Sequence, residues 1–157
     1  MSNPELKTAD AQTVAYLRMT GPYTQTPEGY GLLYGWISQH GLVPSGMPHA
    51  VYLTMPADTP EEEAVWELWA PVGGNPPETE PDDSGVGVKH VAATLVLSAM
   101  HHGPYETVAP TYDEMWVWIG ANGYIVAGPP MEIYYSDPNK VPPEEYLTEV
   151  QMPIAKK

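Results

Sequence analysis

The most informative segment of the chain reads GPYTQTPEGYGLLYGWISQHGLVPSGMPHAVY and covers residues 21–52. A shift of 82 residues places it, without a gap, on GPYETVAPTYDEMWVWIGANGYIVAGPPMEIY, residues 103–134. Both segments begin with Gly-Pro-Tyr and end on a short apolar run that contains a tyrosine. A fixed period of this kind is typical of a supersecondary unit that occurs more than once. The sequence therefore predicts a duplicated fold.

The same offset continues beyond these segments and matches mainly glycine, proline, aromatic and acidic positions. We therefore predict two tandem strand-helix-strand-strand modules, which make an α+β fold with six or more mostly antiparallel strands and two main helices. The matched positions are Tyr30 and Tyr112, Trp36-Ile37 and Trp118-Ile119, Gly41 and Gly123, Gly46 and Gly128, Pro48 and Pro130, Tyr52 and Tyr134, Glu62-Glu63 and Glu144-Glu145, Glu67 and Glu149, and Pro71 and Pro153.

Each module begins with a predicted strand that a Gly-Pro-Tyr turn ends. Apolar residues at helical spacing follow, and Thr26 before Pro27 is the predicted N-cap of the first helix. Gly41 and Gly123 are predicted to take the left-handed conformation after the two helices. The predicted strands are residues 13–20, 49–55 and 64–72 in the first module and residues 91–102, 131–135 and 146–154 in the second.

The organisation we predict is a single domain over residues 1–157, with module one at about 11–72 and module two at about 89–154. Residues 73–88 contain three prolines and four acidic residues and are predicted to form a solvated linker. Half-size repeats usually bury their open faces against each other. We therefore expect a pseudo-twofold axis with a ligand cleft between the modules.

Composition restricts the class of function. The 157 residues are 43% hydrophobic and 17% charged, which suffices for a buried core. The net charge of −14 argues against direct binding to nucleic acid or an anionic membrane, since phosphate binding needs clustered lysine and arginine. Cysteine is absent, which excludes disulfides and thiolate chemistry. No apolar run approaches a membrane span and the N-terminus lacks a signal-peptide pattern, so we expect a cytoplasmic protein.

The second half of the chain resembles a known family at several places. These are GPYE at 103–106, NGY at 122–124, GP at 128–129, EIY at 132–134, DP at 137–138 and PEEYLTEVQMPI at 143–154. Together they resemble the GyrI-like small-molecule-binding domains, which also serve as effector-binding domains of AraC- and MerR-type transcription activators. The resemblance covers essentially the whole chain and implies a stand-alone member. It further implies a pocket between the modules for amphipathic, often cationic and aromatic, compounds.

Glu132 is the first candidate for the ligand site. Strand alternation places it on one face with Tyr134 and away from Met131, Ile133 and Tyr135. A carboxylate in an apolar strand is costly to bury without a partner, and a ligand cation would be such a partner. The resemblance carries the drug-contacting glutamate of the family onto this position. The alternative is an edge strand in which the side chain points to water.

Glu67 and Glu149 occupy equivalent positions in the last strand of each module and are also candidates. Each could contact a ligand, or each could accept a structural hydrogen bond from a tyrosine. If two of these carboxylates share the cleft, the pKa of one of them should rise and suit it to act as a general base or acid near neutrality.

Five aromatic side chains complete the predicted ligand site. Phenylalanine is absent, so each aromatic ring carries a polar atom, as expected for a partly wet cavity. Trp36 and Trp118 lie off the main apolar stripes of their helices and could stack on a planar ligand, or they could belong to the core. Tyr52 and Tyr134 could likewise contact the ligand or belong to the core. Tyr112, together with Met115 and Trp116, is predicted to lie in the core, with the Tyr112 hydroxyl turned to the cavity.

Adjacent strand residues such as His101 and His102 point to opposite faces and cannot bind one metal ion together, so we expect neither a metal nor another cofactor. Three functions stay open. The first is binding of cationic, aromatic or amphipathic xenobiotics. The second is a metal-independent hydrolase of strained, cyclopropane-bearing compounds in which Glu132 or Glu149 activates water. The third is an acidic module for a protein partner such as a gyrase. Binding ranks first, and the oligomeric state stays open.

Overall fold

The computed structural model describes residues 4–55 and 58–157 and divides them into two units. The continuous unit is Ala11–Ala92, and the discontinuous unit joins Ala93–Lys157 to the N-terminal residues as far as Asp10. Their strands and helices, in chain order, are β1 (Glu5–Ala9), β2 (Gln12–Thr20), α1 (Thr26–Gln39), β3 (His49–Tyr52), β4 (Val65–Pro71), β5 (Val86–Val91), β6 (Thr94–His102), α2 (Ala109–Ala121), β7 (Tyr124–Val126), β8 (Met131–Tyr134) and β9 (Leu147–Lys156).

The continuous unit contains an antiparallel sheet with the strand order β3-β4-β2-β5 and the helix α1. The helix packs on β2 and β4. Leu33 and Ile37 of the helix and Leu68 of β4 are fully or almost fully buried. Burial of each such side chain contributes about 1.5–3 kcal/mol to folding.

The discontinuous unit repeats this arrangement with the strand order β1-β6-β9-β8. The short strand β7 also pairs with β9, at its far end. Helix α2 packs on β6 and β7, and its residues Met115 and Ile119 are buried. Each unit is thus a layer of antiparallel strands covered by one main helix, which confirms the predicted α+β repeat.

Each sequence repeat begins with a strand that does not pair with the rest of its own repeat. Instead, this strand belongs to the unit that contains the other repeat. Strand β1 precedes β2 in the chain but pairs with β6, while β5 precedes β6 and pairs with β2. The offset of 82 residues makes β1 and β5 equivalent, and it matches Lys7 with Lys89. We call this arrangement the first-strand exchange.

Several local predictions are confirmed and others are wrong. Gly41 and Gly123 have φ of 70° and 75°, as predicted for residues that follow a helix. Thr26 is not the N-cap, because the helix begins at that residue and its hydroxyl donates to the Tyr23 carbonyl at 2.7 Å. Trp116 is exposed rather than in the core, because helix α2 turns it to the solvent side.

The predicted linker 73–88 is shorter than expected, since β5 begins at Val86. Val86 and Val88 alternate with Gly87 and are buried opposite Leu17 and Ala15 of β2. Strands β1, β5 and β7 were not among the predicted strands. The expectation about a signal peptide concerned the first residues of the chain, of which 1–3 lie outside the described residues.

Replacement of Gly87 by alanine should destabilise the protein by about 1–2 kcal/mol. An added Cβ would lie 2.7 Å from the Thr79 carbonyl oxygen and 3.0 Å from the Pro81 nitrogen. Both are backbone atoms, so the clash can be relieved only if the main chain shifts. The control is Gly35→Ala in α1, where the added Cβ would have no neighbour within 4 Å. This variant should be more stable than wild type by about 1 kcal/mol, because alanine has a higher helix propensity than glycine. Urea unfolding measures the change in the free energy of unfolding for both variants. Equal changes in the two variants would contradict the close packing of Gly87.

Candidate ligand-binding site

Glu132 is a carboxylate held between two tyrosines on the helix side of its sheet. It lies on β8, is only 7% exposed, and accepts hydrogen bonds from the Tyr112 hydroxyl at 2.7 Å and from the Tyr134 hydroxyl at 3.0 Å. Helix α2 supplies Tyr112, and Tyr134 stands two residues further along the same strand. The structure therefore brings three of the predicted site residues together.

Burial dominates the electrostatics of this carboxylate. It raises the pKa of Glu132, and the two tyrosine hydrogen bonds and the nearby His101 offset only part of that rise. Within residues 4–55 and 58–157 the ion pairs formed by lysine and arginine go to Glu67 and Glu149, and none reaches Glu132. A buried acid whose hydrogen bonds come from neutral hydroxyls, without a lysine or arginine ion pair among the described residues, is available to a cation from outside the chain.

Aromatic rings lead from the surface towards Glu132. Tyr105 is 36% exposed, and its ring stacks on Tyr146 at 4.7 Å and meets the Tyr134 ring edge-on at 5.3 Å. Thr148 faces Tyr134 in the β8–β9 register, and its buried hydroxyl has no hydrogen-bond partner among the described residues. Tyr105, Tyr146 and Thr148 were missed by the sequence analysis, although the Gly-Pro-Tyr signature already contained Tyr105.

The first repeat has the same tyrosine framework without the acid. Ala50 takes the place of Glu132 and is fully buried. Tyr30, the equivalent of Tyr112, donates instead to the His49 carbonyl at 2.7 Å. Tyr52 packs edge-on against Tyr23 at 5.9 Å, as Tyr134 packs against Tyr105. The two repeats therefore differ in the carboxylate and in two of its neighbours, since Ala64 and Trp66 take the places of Tyr146 and Thr148.

Glu149 belongs to a separate hydrogen-bonded cluster. It is 3% exposed and accepts from Tyr135 at 2.6 Å, Ser98 at 2.7 Å and Gln151 at 2.9 Å, and it pairs with Lys7 at 2.5 Å. Burial alone would raise the pKa of Glu149, but these donors outweigh it and lower the pKa to about 2. A pocket of about 220 Å³ adjoins the cluster, and Met100 and Leu147 help to line it.

Glu67 is the equivalent residue in the continuous unit and has cationic partners. It accepts from Arg18 at 2.7 Å, from Lys89 at 2.7 Å and from the Trp69 indole at 2.9 Å. Burial would raise the pKa of Glu67, but the hydrogen bonds from Lys89, Trp69 and Arg18 prevail and lower it. Both equivalents are therefore stabilised as anions within the chain, in contrast to Glu132.

The two acids proposed for an enzyme do not face each other. Glu132 pairs with Val150 in the β8–β9 register, whereas Glu149 pairs with Ile133, so alternation puts the two carboxylates on opposite faces of the sheet. They are not arranged as a catalytic pair.

The two tryptophans have other neighbours. The Trp36 indole donates to Asp82 at 2.7 Å, and its ring stacks on His40 at 3.9 Å. Trp118 stacks on Tyr124 at 5.6 Å. These partners of the two tryptophans are different from Glu132, Tyr112 and Tyr134.

Residues 4–55 and 58–157 contain neither a cluster of metal-binding side chains nor a membrane-spanning helix. No group of three or more histidine, aspartate or glutamate residues is arranged to hold a metal ion there. No helix in that part is long and apolar enough to cross a membrane.

The sequence profile of the GyrI-like small molecule binding domain matches residues 2–73 and again residues 74–155. The chain belongs to the GyrI-like family. Its partner class is therefore a small molecule. This GyrI-like chain is 27% identical over 159 residues to a DNA gyrase inhibitor of Erwinia billingiae (strain Eb661), and the match covers 98% of each protein.

Solved structures share the fold of this GyrI-like chain. The C-terminal domain of EcmrR matches with a TM-score of 0.80 and 21% identity, over 100% of this chain and 99% of that domain. In EcmrR bound to DNA the match has a TM-score of 0.84 and 18% identity over 99% of this chain, which spans 58% of the EcmrR chain. SAV2435 bound to tetraphenylphosphonium matches with a TM-score of 0.56 and 14% identity, over 98% of this chain and 94% of that one.

Proposed function

We propose that this GyrI-like domain binds lipophilic aromatic cations, with the Glu132 carboxylate as the counter-charge. Tyr112 and Tyr134 hold the carboxylate, and the rings of Tyr105 and Tyr146 provide the aromatic surface that leads to it. The observation that carries the proposal is a buried acid whose described hydrogen-bond partners are tyrosine hydroxyls rather than a lysine or an arginine.

The charge state of Glu132 favours a cation over a neutral ligand. Since burial raises its pKa, the ionised form is costly in the free protein. A cation beside the carboxylate reverses that cost, and cation–π contacts with the tyrosine rings add about 0.5–2 kcal/mol each. Binding should therefore lower the pKa of Glu132, and a proton is released when the site is protonated beforehand.

Two further facts support a cationic ligand. SAV2435, which shares the fold, is bound to tetraphenylphosphonium, a lipophilic aromatic cation. The net charge of −14 attracts cations to this protein over a longer range. The proposal does not include Trp36, Tyr52, Glu67, Trp118 and Glu149, because their described contacts lie with other partners.

The proposal predicts that Glu132→Gln weakens binding of tetraphenylphosphonium by about ten-fold, a loss of roughly 1.4 kcal/mol. The amide keeps the shape of the side chain but removes its charge. Its oxygen still accepts from one tyrosine hydroxyl, while its NH2 group must donate to the other hydroxyl oxygen. Isothermal titration calorimetry of wild type and variant measures the change. Triphenylphosphine oxide, a neutral aromatic compound, should bind both proteins about equally.

Two controls complete this experiment. Glu145→Gln removes one exposed acid of the same chain and should leave the affinity for tetraphenylphosphonium unchanged. Mass spectrometry of a mixture with a cyclopropane-bearing alkylator tests the hydrolase alternative, since a hydrated product would replace the binding proposal with catalysis. Equal affinity of wild type and Glu132→Gln for the cation would overturn the role of Glu132.

A further inference from the structure

Lys89 occupies an aromatic and anionic cage in the continuous unit. Its Nζ lies 2.7 Å from Glu67 Oε1, 4.3 Å from the centre of the Tyr16 ring and 4.8 Å from the centre of the Trp69 ring. Two aromatic faces and a carboxylate around one ammonium are the arrangement that proteins use to recognise organic cations. The ammonium that fills the cage here is part of the chain itself.

Lys89 is not the only cation that pairs with the Glu67 carboxylate. Arg18 donates to the other oxygen of Glu67 through Nε at 3.2 Å and through its terminal nitrogen at 2.7 Å. The Trp69 indole donates to the same oxygen as Lys89. Glu67 therefore keeps a cation and a hydrogen-bond donor when Lys89 leaves, so that departure of the lysine does not strand a buried charge.

Lys89 is also within reach of solvent. Its side chain is 30% exposed and joins the cage from an edge strand, β5, whereas Glu67 is buried. An ammonium on a flexible four-carbon stem can move out while its backbone stays paired with β2. A free cation of similar size can then take its place.

The second repeat provides a natural comparison without the aromatic walls. The offset of 82 residues matches Glu67 with Glu149 and Lys89 with Lys7. It also matches Tyr16 with Ser98 and Trp69 with Gln151. Lys7 thus pairs with a buried glutamate whose other donors are the hydroxyls of Ser98 and Tyr135 and the amide of Gln151. Among the described residues, the cation–π contacts of this kind are made by Lys89 and not by Lys7.

We propose that the Glu67–Tyr16–Trp69 cage is a second cation site, which takes small primary alkylammonium compounds when they displace Lys89. The bound compound places its ammonium against Glu67 and its alkyl stem along the path of the lysine. The side chain of Lys89 acts as a tethered competitor, present at an effective concentration in about the millimolar range. This site is independent of Glu132, which lies in the other unit.

Removal of the tethered competitor tests the site by chemical rescue. Lys89→Ala lowers the melting temperature by several degrees, and n-propylammonium, which restores the missing atoms, should recover most of that loss. Its affinity for Lys89→Ala should exceed that for wild type by about ten-fold. n-Propanol at the same concentration, and sodium chloride at the same ionic strength, should give no comparable recovery.

The matched control is Lys7→Ala, because Ser98 and Gln151 stand at the positions equivalent to Tyr16 and Trp69 in its cluster. n-Propylammonium should stabilise it no more than sodium chloride does. The double variant Lys89→Ala with Glu67→Gln should lose the rescue. Equal rescue of both lysine variants, rescue that survives Glu67→Gln, or no rescue of a folded Lys89→Ala protein would each overturn the proposal.

A measurement on the wild-type protein covers the case in which Lys89→Ala does not fold. The indole N–H of Trp69 donates to Glu67, so its NMR resonance should shift as n-propylammonium enters and Lys89 leaves. Trp69→Phe assigns that resonance. A resonance that does not move up to saturating n-propylammonium contradicts displacement, irrespective of the result obtained for tetraphenylphosphonium at Glu132.

Discussion

Replacement of Glu149 by alanine is expected to destabilise the protein by about 3–5 kcal/mol. The substitution removes the common acceptor of four groups, the side chains of Lys7, Ser98, Tyr135 and Gln151. Ser98 and Gln151 are buried and lose their partner, and each orphaned donor costs about 1–3 kcal/mol. The cavity left by the side chain adds to the loss. Urea unfolding monitored by tryptophan fluorescence measures the change.

The control for this prediction removes the opposite end of the ion pair. The side chain of Lys7 is 41% exposed, so water replaces much of what Lys7→Ala removes, and the cost should stay at or below about 1 kcal/mol. Glu149 would still have three hydroxyl and amide donors. If Lys7→Ala costs as much as Glu149→Ala, the cluster is held together by the ion pair rather than by the shared acceptor.

Replacement of Glu132 by glutamine is expected to stabilise the ligand-free protein by about 1–3 kcal/mol at pH 7, the range for desolvation of one buried polar group. Burial raises the pKa of Glu132 in the folded state. The stability that Glu132 contributes is therefore fully present below about pH 4.5, the pKa of this side chain in the unfolded state. It is lost as the pH rises through the pKa of the folded state. Glutamine does not ionise and avoids that loss.

The pH dependence separates this prediction from a simple packing effect. The advantage of Glu132→Gln over wild type should be large at pH 7 and should shrink towards pH 4. Glu149 has the opposite sign, because its pKa is lowered to about 2, and its contribution is lost as the pH falls from 4.5 towards 2. A Glu132→Gln protein less stable than wild type at pH 7 contradicts the interpretation.

Glu149 and Glu132 are both buried acids, but they have different roles in this protein. Glu149 is satisfied by its own chain and supports the fold. Glu132 lacks a lysine or arginine ion-pair partner within the described residues and is expected to weaken the ligand-free fold. A binding site that costs stability is expected where the missing interaction is supplied by the ligand.

The repeat predicted much of the architecture because glycine, proline and aromatic positions mark local structure. The turn at Gly103-Pro104-Tyr105 and the left-handed Gly123 depend on neighbouring residues only, and both the helices and the central strands followed from such signals. Strand alternation also placed Glu132 on the face it shares with Tyr134. These are the features that a few consecutive residues determine.

The partners of the buried acids could not be predicted in the same way, because they depend on strand pairing across long distances in the sequence. Lys7 meets Glu149 only because β1 pairs with β6, which in turn pairs with β9. The equivalence of Lys7 and Lys89 at the repeat offset was the available signal. Trp116 was misassigned because apolar spacing alone does not show which side of a helix the sheet covers.

The first-strand exchange bears on how this protein arose. A half-length ancestor with the same pairing had to associate with a second copy, since each copy supplied the strand that completed the sheet of the other. Fusion of two copies into one chain made folding independent of protein concentration. It also released the copies from sharing one sequence, so that the equivalent positions could hold Glu132 in one copy and Ala50 in the other.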